Sequence, residues 1–142
     1  MENMIKLFQE GGLFNTKGRI GRKRFTISMI VLIVSLFVWQ LIMYGLLYTF
    51  KNEFILILCF ALLAPLILFS IAIHYRRLHD INKSGHWYWL IFFLNTAGNR
   101  MQQFNPIDVI CIIILIYLCA KKGTTGENKY GADPVAPKEP AQ

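Results

Sequence analysis

The chain contains two long apolar runs. Residues 27–50 and 54–75 hold no Asp, Glu, Lys or Arg. Each run exceeds the roughly 18 residues that mark a membrane-spanning helix, and at about 1.5 Å per residue each can cross a hydrocarbon core of roughly 30 Å. The pattern therefore predicts two transmembrane helices and an integral membrane protein.

The second half of the chain has a weaker pattern. Apolar residues 87–94 and 106–120 flank a polar stretch at 95–105. We expect a third helix over 85–99 and a fourth over 106–120, and we prefer the interpretation in which both cross the membrane. The alternative is a re-entrant pair that enters and leaves on one side, and protein or water would then have to cover its open backbone groups.

Basic residues are concentrated next to the apolar runs. Short basic segments beside a span stay on the cytoplasmic side, so the segment 1–26, the loop 76–86 and the tail 121–142 are predicted to be cytoplasmic, with both termini inside. The connection at 51–53 carries no net charge, since its charged residues are Lys51 and Glu53. It is predicted to form a tight external hairpin. The flanking cations are Lys17, Arg19, Arg22, Lys23, Arg24, Arg76, Arg77, Lys83, Lys121 and Lys122.

Composition limits the architecture to one unit. Hydrophobic residues make up 55% of the 142 residues and charged residues 16%, whereas about a quarter of a soluble domain is charged. A few helices with short loops use the whole length. We therefore predict a single all-α membrane domain over residues 1–142, a small helical bundle without a separate soluble domain.

The basic loop after the second span suggests ion pairing. Arg76 and Arg77 follow that span, where cations favour the negative helix end and lipid phosphates. Asp80 is four residues after Arg76 and can reach it if the helix continues for one turn. We expect Asp80 to pair with Arg76, or with Arg19 or Arg22 from the neighbouring first span. The residues predicted to contact anionic phospholipid or a partner protein are Arg19, Arg22, Arg24, Arg76, Arg77 and Asp80.

Asp108 is a carboxylate within an apolar segment. Pro106 suits the first turn of a helix, and Asp108 would then complement the positive helix end near the external interface. The alternative is a proton or cation site inside the bundle. In that case Asp108, with Asn95, Asn99 and Arg100, would form the polar path of a small transporter or channel.

Motifs for catalysis or metal binding are sparse. His74, His79 and His86 are spaced by five and seven residues, which does not place all three on one helix face. His79 and Asp80 lack an accompanying nucleophile motif. We therefore expect no enzymatic activity, cofactor or metal. We also expect no nucleic-acid partner, because phospholipid headgroups are the nearer anions for the basic residues. A lipid-modifying enzyme using His79, Asp80 and His86 is the third alternative.

Three short motifs together resemble a known family. They are Gly18-Arg19-Ile20-Gly21-Arg22-Lys23-Arg24-Phe25, Arg76-Arg77-Leu78-His79-Asp80 with Ser84-Gly85-His86-Trp87, and Asn128-Lys129-Tyr130-Gly131-Ala132-Asp133-Pro134. In this order around apolar spans, they are similar to the domain of unknown function 805 family of small bacterial inner-membrane proteins, from about residue 14 to residue 134. The resemblance implies a multi-span protein of the cytoplasmic membrane. It brings no established catalytic residue or substrate.

These features favour a non-enzymatic membrane protein that assembles with itself or with other membrane proteins. The transporter or channel is the second hypothesis, and the lipid-modifying enzyme is the third.

Overall fold

The computed structural model describes residues 12–50, 53–98 and 106–136. Within them the chain forms four helices and no named strand. The helices are α1 (Arg22–Phe50), α2 (Glu53–Asp80), α3 (Trp87–Gly98) and α4 (Pro106–Ala120). For the described residues, the prediction of an all-α fold with four helices is therefore confirmed. The predicted external hairpin falls mainly on Lys51 and Asn52, which lie outside the described residues.

Helices α1 and α2 are long and apolar. They contain 29 and 28 residues, which corresponds to about 42 to 44 Å each, and both are long and apolar enough to cross a membrane. Both extend beyond the predicted spans, since α1 begins at Arg22 and α2 continues to Asp80. The predicted spans stopped at the first charged residues. The helices are longer because charged residues do not interrupt the hydrogen bonds of a helix.

Asn82 ends α2. Its φ is 58°, a left-handed conformation that asparagine tolerates better than most residues. The N–H of Lys83 donates to the carbonyl of Leu78 at 2.8 Å, and the N–H of Asn82 donates to the carbonyl of His79 at 3.0 Å. This is the Schellman pattern of a helix C-terminus, and it turns the chain sharply toward α3.

Helices α3 and α4 are about half as long. They contain 12 and 15 residues, or about 18 and 22 Å, and are shorter than the roughly 20 residues of a transmembrane helix. Helix α4 has the predicted bounds, and α3 begins two residues later than predicted. The described part of the bundle therefore has four helices at one end and the α1–α2 pair at the other.

The core lies at the four-helix end. Its buried side chains are Ile20, Phe25, Met29, Leu32, Ile73, Leu78, Tyr88 and Leu118. By contrast, the outer halves of α1 and α2 expose large apolar side chains, including Phe37, Tyr44, Tyr48 and Phe54. Exposed apolar side chains of this kind are favourable in contact with lipid and unfavourable in water.

Candidate functional site

Two arginines and one aspartate form a buried cluster at the four-helix end. We call Arg19, Arg77 and Asp80 the arginine–aspartate cluster. Asp80 Oδ1 accepts hydrogen bonds from Arg19 Nε at 3.2 Å and Nη2 at 3.1 Å. Asp80 Oδ2 accepts from Arg77 Nη1, one turn earlier on α2. The three side chains are at most 3% exposed.

Arg77 connects α2 to the end of α4. Its Nε donates to the carbonyl of Leu118 at 2.7 Å, and its Nη2 donates to the carbonyl of Lys121. Nη1 also reaches the carbonyl of Ile20 at 3.5 Å. The last carbonyls of a helix lack partners within the helix. Arg77 therefore completes the end of α4 while it holds the segment before α1.

Arg19 binds the segment that follows α4. Its Nη1 donates to the carbonyls of Gly126 at 2.6 Å and Gly131 at 3.2 Å. Its Nη2 donates to the carbonyl of Thr124 and to Thr124 Oγ1, the latter at 3.1 Å. The cluster contains two cations and one anion, and these carbonyl oxygens partly satisfy the excess positive charge.

Residues 123–136, which we call the carboxy-terminal segment, pack on the end of α2. The N–H of Thr124 donates to the carbonyl of Asp80 at 2.8 Å. Asn128 Nδ2 donates to the carbonyl of His79 at 3.0 Å. The rings of His79 and Tyr130 stack with centroids 3.9 Å apart and planes 8° apart. These contacts join the Arg76–Asp80 and Asn128–Pro134 motifs in one structure.

The structure assigns partners to Asp80. Pairing with Arg19 was one of the predicted possibilities, and Arg77 is a further partner that the sequence interpretation did not name. The carbonyl of Arg76 accepts from the N–H of Ile20 at 3.1 Å.

Most of the predicted contact residues are now located. At the start of α1, Arg22 is exposed and Arg24 is half-buried. Their contact with lipid or a partner remains a prediction. The side chains of the arginine–aspartate cluster are at most 3% exposed, and their predicted contact with lipid or a partner also stays a prediction.

Sequence reasoning missed the role of the carboxy-terminal segment. In this segment the Asp133 carboxylate accepts from the N–H of Gly126 at 3.0 Å and of Val135 at 2.9 Å. These backbone hydrogen bonds, that from Val135 foremost, lower the pKa of Asp133. The Asn128–Pro134 motif was the available signal, because Asn, Gly and Asp in close succession are typical of turns.

An apolar cavity of about 590 Å³ lies between the four helices. Aliphatic side chains from α1, α2 and α4 form most of its wall. The polar side chains that line it are Ser70, His74, Tyr88 and Asp108. Neither Lys nor Arg is among the described residues that line the cavity.

Asp108 lies beside the middle of the long helices. It is in the first turn of α4, as predicted, and it shares the cavity with Leu36 of α1 and Ile67 of α2. The expected position of Asp108 near the external membrane interface stays a prediction. Asn99 and Arg100 lie outside the described residues.

The three histidines have separate partners. His74 Nδ1 hydrogen-bonds the carbonyl of Ser70 at 2.7 Å, and His79 Nδ1 bonds that of Gly18 at 3.2 Å. His86 Nδ1 is 3.4 Å from the hydroxyl of Tyr75. Within the described ranges, no three His, Cys, Asp or Glu side chains are grouped to hold a metal ion.

Comparison with known proteins places these features in a family. The family described as "Protein of unknown function (DUF805)" matches residues 13–132. The chain is 35% identical to the "Uncharacterized protein YiiR" of Escherichia coli K12, over 85% of this chain and 86% of that protein.

Two further relatives from the same organism match a shorter stretch. The "Inner membrane protein YhaI" is 36% identical over 45% of this chain and 42% of its own, and the "Inner membrane protein YhaH" is 35% identical over 44% and 40%. No solved structure matches the chain.

Proposed function

Because the chain belongs to the DUF805 family and has two membrane-capable helices, we propose that it is a multi-pass protein of the bacterial inner membrane. Helices α1 and α2 cross the bilayer, and both termini lie in the cytoplasm. Support comes from the basic residues beside the ends that meet at the arginine–aspartate cluster, since short basic segments are retained on the cytoplasmic side.

We further propose that α3 and α4 form a re-entrant pair that opens to the cytoplasmic side. Leu118, near the end of α4, is bonded to Arg77, and Asp108 is ten residues earlier on the same helix, which corresponds to about 15 Å. A hydrocarbon core is roughly 30 Å thick. Asp108 then lies inside the hydrocarbon region, and this depth favours the re-entrant arrangement over the four full crossings that we preferred from the sequence.

The function that this geometry supports best is a non-enzymatic one, in which the protein contacts anionic phospholipids and other membrane proteins from its cytoplasmic face. The observation that supports this proposal is that exposed cations lie near the helix ends that meet at the arginine–aspartate cluster. His79 and Asp80 hold protein contacts, which favours a structural role for both. The exposed cations near these ends are Lys17, Arg22, Lys23, Lys83, Lys121, Lys122 and Lys129.

A basic crevice gives this surface a candidate lipid position. Arg22, Lys23, Thr26 and Ile27 of α1 and Cys119 of α4 line a depression of about 350 Å³. No carboxylate among the described residues pairs with Arg22 or Lys23. Basic pockets between transmembrane helices on the cytoplasmic side are suited to acidic headgroups. A phosphate between the two cations would leave acyl chains beside Ile27.

Native mass spectrometry of the detergent-purified protein tests this proposal. We expect phosphatidylglycerol or cardiolipin to be retained in preference to phosphatidylethanolamine. Retention should fall several-fold in the Arg22→Gln/Lys23→Gln variant and remain in Lys17→Gln/Lys83→Gln, which loses the same charge outside the crevice. Equal loss in both variants, disappearing above about 0.15 M salt, would indicate diffuse attraction and contradict a defined crevice site.

Transport of a small solute is the second candidate function. The observation in its favour is that Asp108 lines the cavity between the helices, since an ionisable residue at membrane depth commonly marks a substrate or ion path. Purified protein in vesicles would then show a solute flux that Asp108→Asn abolishes. Unchanged flux in that variant would remove Asp108 from the path.

A further inference from the structure

We propose that the apolar cavity is a binding site for a lipophilic organic cation, with the Asp108 carboxylate as its counter-charge. The inference deepens the second candidate function and rests on the proposed placement of α4 within the membrane. The proposed depth of Asp108, the lack of a counter-ion for its carboxylate among the described residues, and the chemistry of the cavity wall carry the inference.

Asp108 has no counter-ion among the described residues. The ion pairs Arg19–Asp80 and Arg77–Asp80 do not involve it, and no Lys or Arg of the described chain lines the cavity. A carboxylate at membrane depth is costly, and its place in the first turn of α4 offsets part of this cost. A bound cation would reduce the cost further, and Asp108 lies on the wall of the cavity that such a ligand would occupy.

The cavity wall selects an organic cation over a metal ion. Ca²⁺ and Mg²⁺ require six or more oxygen ligands, whereas the wall beside Asp108 consists mainly of aliphatic side chains such as Leu36, Ile67 and Ile112. Tyr88 and Phe92 also line the cavity, and aromatic rings attract organic cations through their faces. The volume of about 590 Å³ falls within the range of about 300–1,000 Å³ that is typical of drug-sized ligands.

At the end of the cavity near His74, too, neither Lys nor Arg is among the described lining residues. Ser70 Oγ and the Tyr88 hydroxyl are 3.5 Å apart. His74 Nδ1 is 2.7 Å from the carbonyl of Ser70, and because a carbonyl only accepts, Nδ1 donates to it. The hydroxyls of Ser70 and Tyr88 can each donate or accept. The one carboxylate among the described lining residues is that of Asp108, and it favours a cationic ligand over an anionic one.

Two probes of the same shape and opposite charge test the proposal. Tetraphenylphosphonium and tetraphenylborate are titrated calorimetrically into the purified full-length protein in detergent, with protein-free micelles as the blank. We expect tetraphenylphosphonium to bind at least about tenfold more tightly than tetraphenylborate. Asp108→Asn should weaken tetraphenylphosphonium about 10- to 100-fold, the effect of losing a charged partner. Asp108→Glu should retain most of the affinity.

Equal affinity for the two probes, or an unchanged affinity for tetraphenylphosphonium in Asp108→Asn, would overturn the inference. If Asp108→Asn fails to fold, the comparison of the two probes on the wild-type protein still decides. Binding in detergent does not depend on orientation in the bilayer. Loss of selectivity with normal lipid retention would therefore refute this site alone, whereas failure of lipid retention with normal probe selectivity would refute only the proposed cytoplasmic surface.

Discussion

At the residue scale, Gly85 and Gly123 occupy positions where there is no room for a side chain. A Cβ on Gly123 would overlap the carboxylate of Asp80, and a Cβ on Gly85 would overlap the ring of Tyr75. Neither glycine has a positive φ, so backbone conformation is not the reason for its presence. The carboxy-terminal segment and the start of α3 can approach α2 closely only because these two side chains are missing.

We predict that Gly123→Ala and Gly85→Ala each lower the free energy of unfolding by about 1 to 3 kcal/mol, the usual cost of overpacking. Gly45→Ala is the matched control, because no atom lies within 4 Å of its added Cβ. That change should be neutral or stabilise α1 by up to about 1 kcal/mol. Thermal unfolding in detergent measures all three, and equal effects at the three positions would contradict the packing at Gly85 and Gly123.

The arginine–aspartate cluster gives a prediction about coupling. Asp80→Asn should destabilise the protein by about 3 to 5 kcal/mol, because it leaves two buried guanidinium groups without a counter-charge. Glu127→Gln, at an exposed position in the carboxy-terminal segment, should change stability by less than about 0.5 kcal/mol. Double-mutant cycles with Arg19→Gln and Arg77→Gln should give interaction energies of about 0.5 to 3 kcal/mol, and strictly additive effects would exclude the pairs.

Local spacing allowed part of this cluster to be predicted. The prediction that Asp80 could pair with Arg19 followed from the adjacency of the first two spans and the charges at their ends. The role of Arg77 depends on where the end of α4 lies, and no local pattern contains that information. Its neighbour Arg76 has the same charge and nearly the same sequence environment, so side-chain direction decided between them.

At the element scale, helix bounds were predictable where a residue type marks them. Helix α4 has the predicted range, with Pro106 at its start and Lys121 just beyond its end. The bounds of α1 and α2 were predicted less well, because apolar runs indicate which residues suit lipid and a helix can continue into polar residues. The depth of α4 could not be read from its sequence, since depth depends on which neighbour its end contacts.

The carboxy-terminal segment should respond to pH through Asp133. Two backbone N–H groups hold the pKa of this carboxylate below its ordinary value of about 4. Its stabilising contribution is therefore complete above about pH 4 and is lost as pH falls through the lowered pKa. Hydrogen exchange at Gly126 should be protected at pH 5 to 8 and lose that protection at lower pH. Asp133→Asn should already be less protected at pH 7, and protection equal to wild type would contradict the interaction.

At the scale of the whole molecule, the arrangement predicts distinct accessibilities. In a variant lacking the native cysteines, Asn52→Cys should react with an impermeant thiol reagent from the periplasm, whereas Lys122→Cys should react only from the cytoplasm. Gln102→Cys should be unreactive from the periplasm if α3 and α4 are re-entrant. It should be reactive if they cross.

Reaction of Asn52→Cys only from the cytoplasm would contradict the proposed topology and indicate the opposite orientation. A periplasm-active reporter that works when fused after Ala136 would do the same. Periplasmic reaction of Gln102→Cys alone would leave the orientation intact and restore four full crossings.

The residues that bond at the arginine–aspartate cluster are far apart in the chain. This separation sets the order in which their contacts can form during biosynthesis. Arg19 is made early, yet it bonds to Gly126 and Gly131, which are 107 and 112 residues later. Under the proposed topology, the α1–α2 hairpin can enter the membrane before Gly126 and Gly131 are available to Arg19, and these bonds form only after residue 131 has left the ribosome. A chain truncated after Ala120 should insert normally in pulse-chase labelling but be degraded faster, because the unclosed ends present extended backbone to proteases.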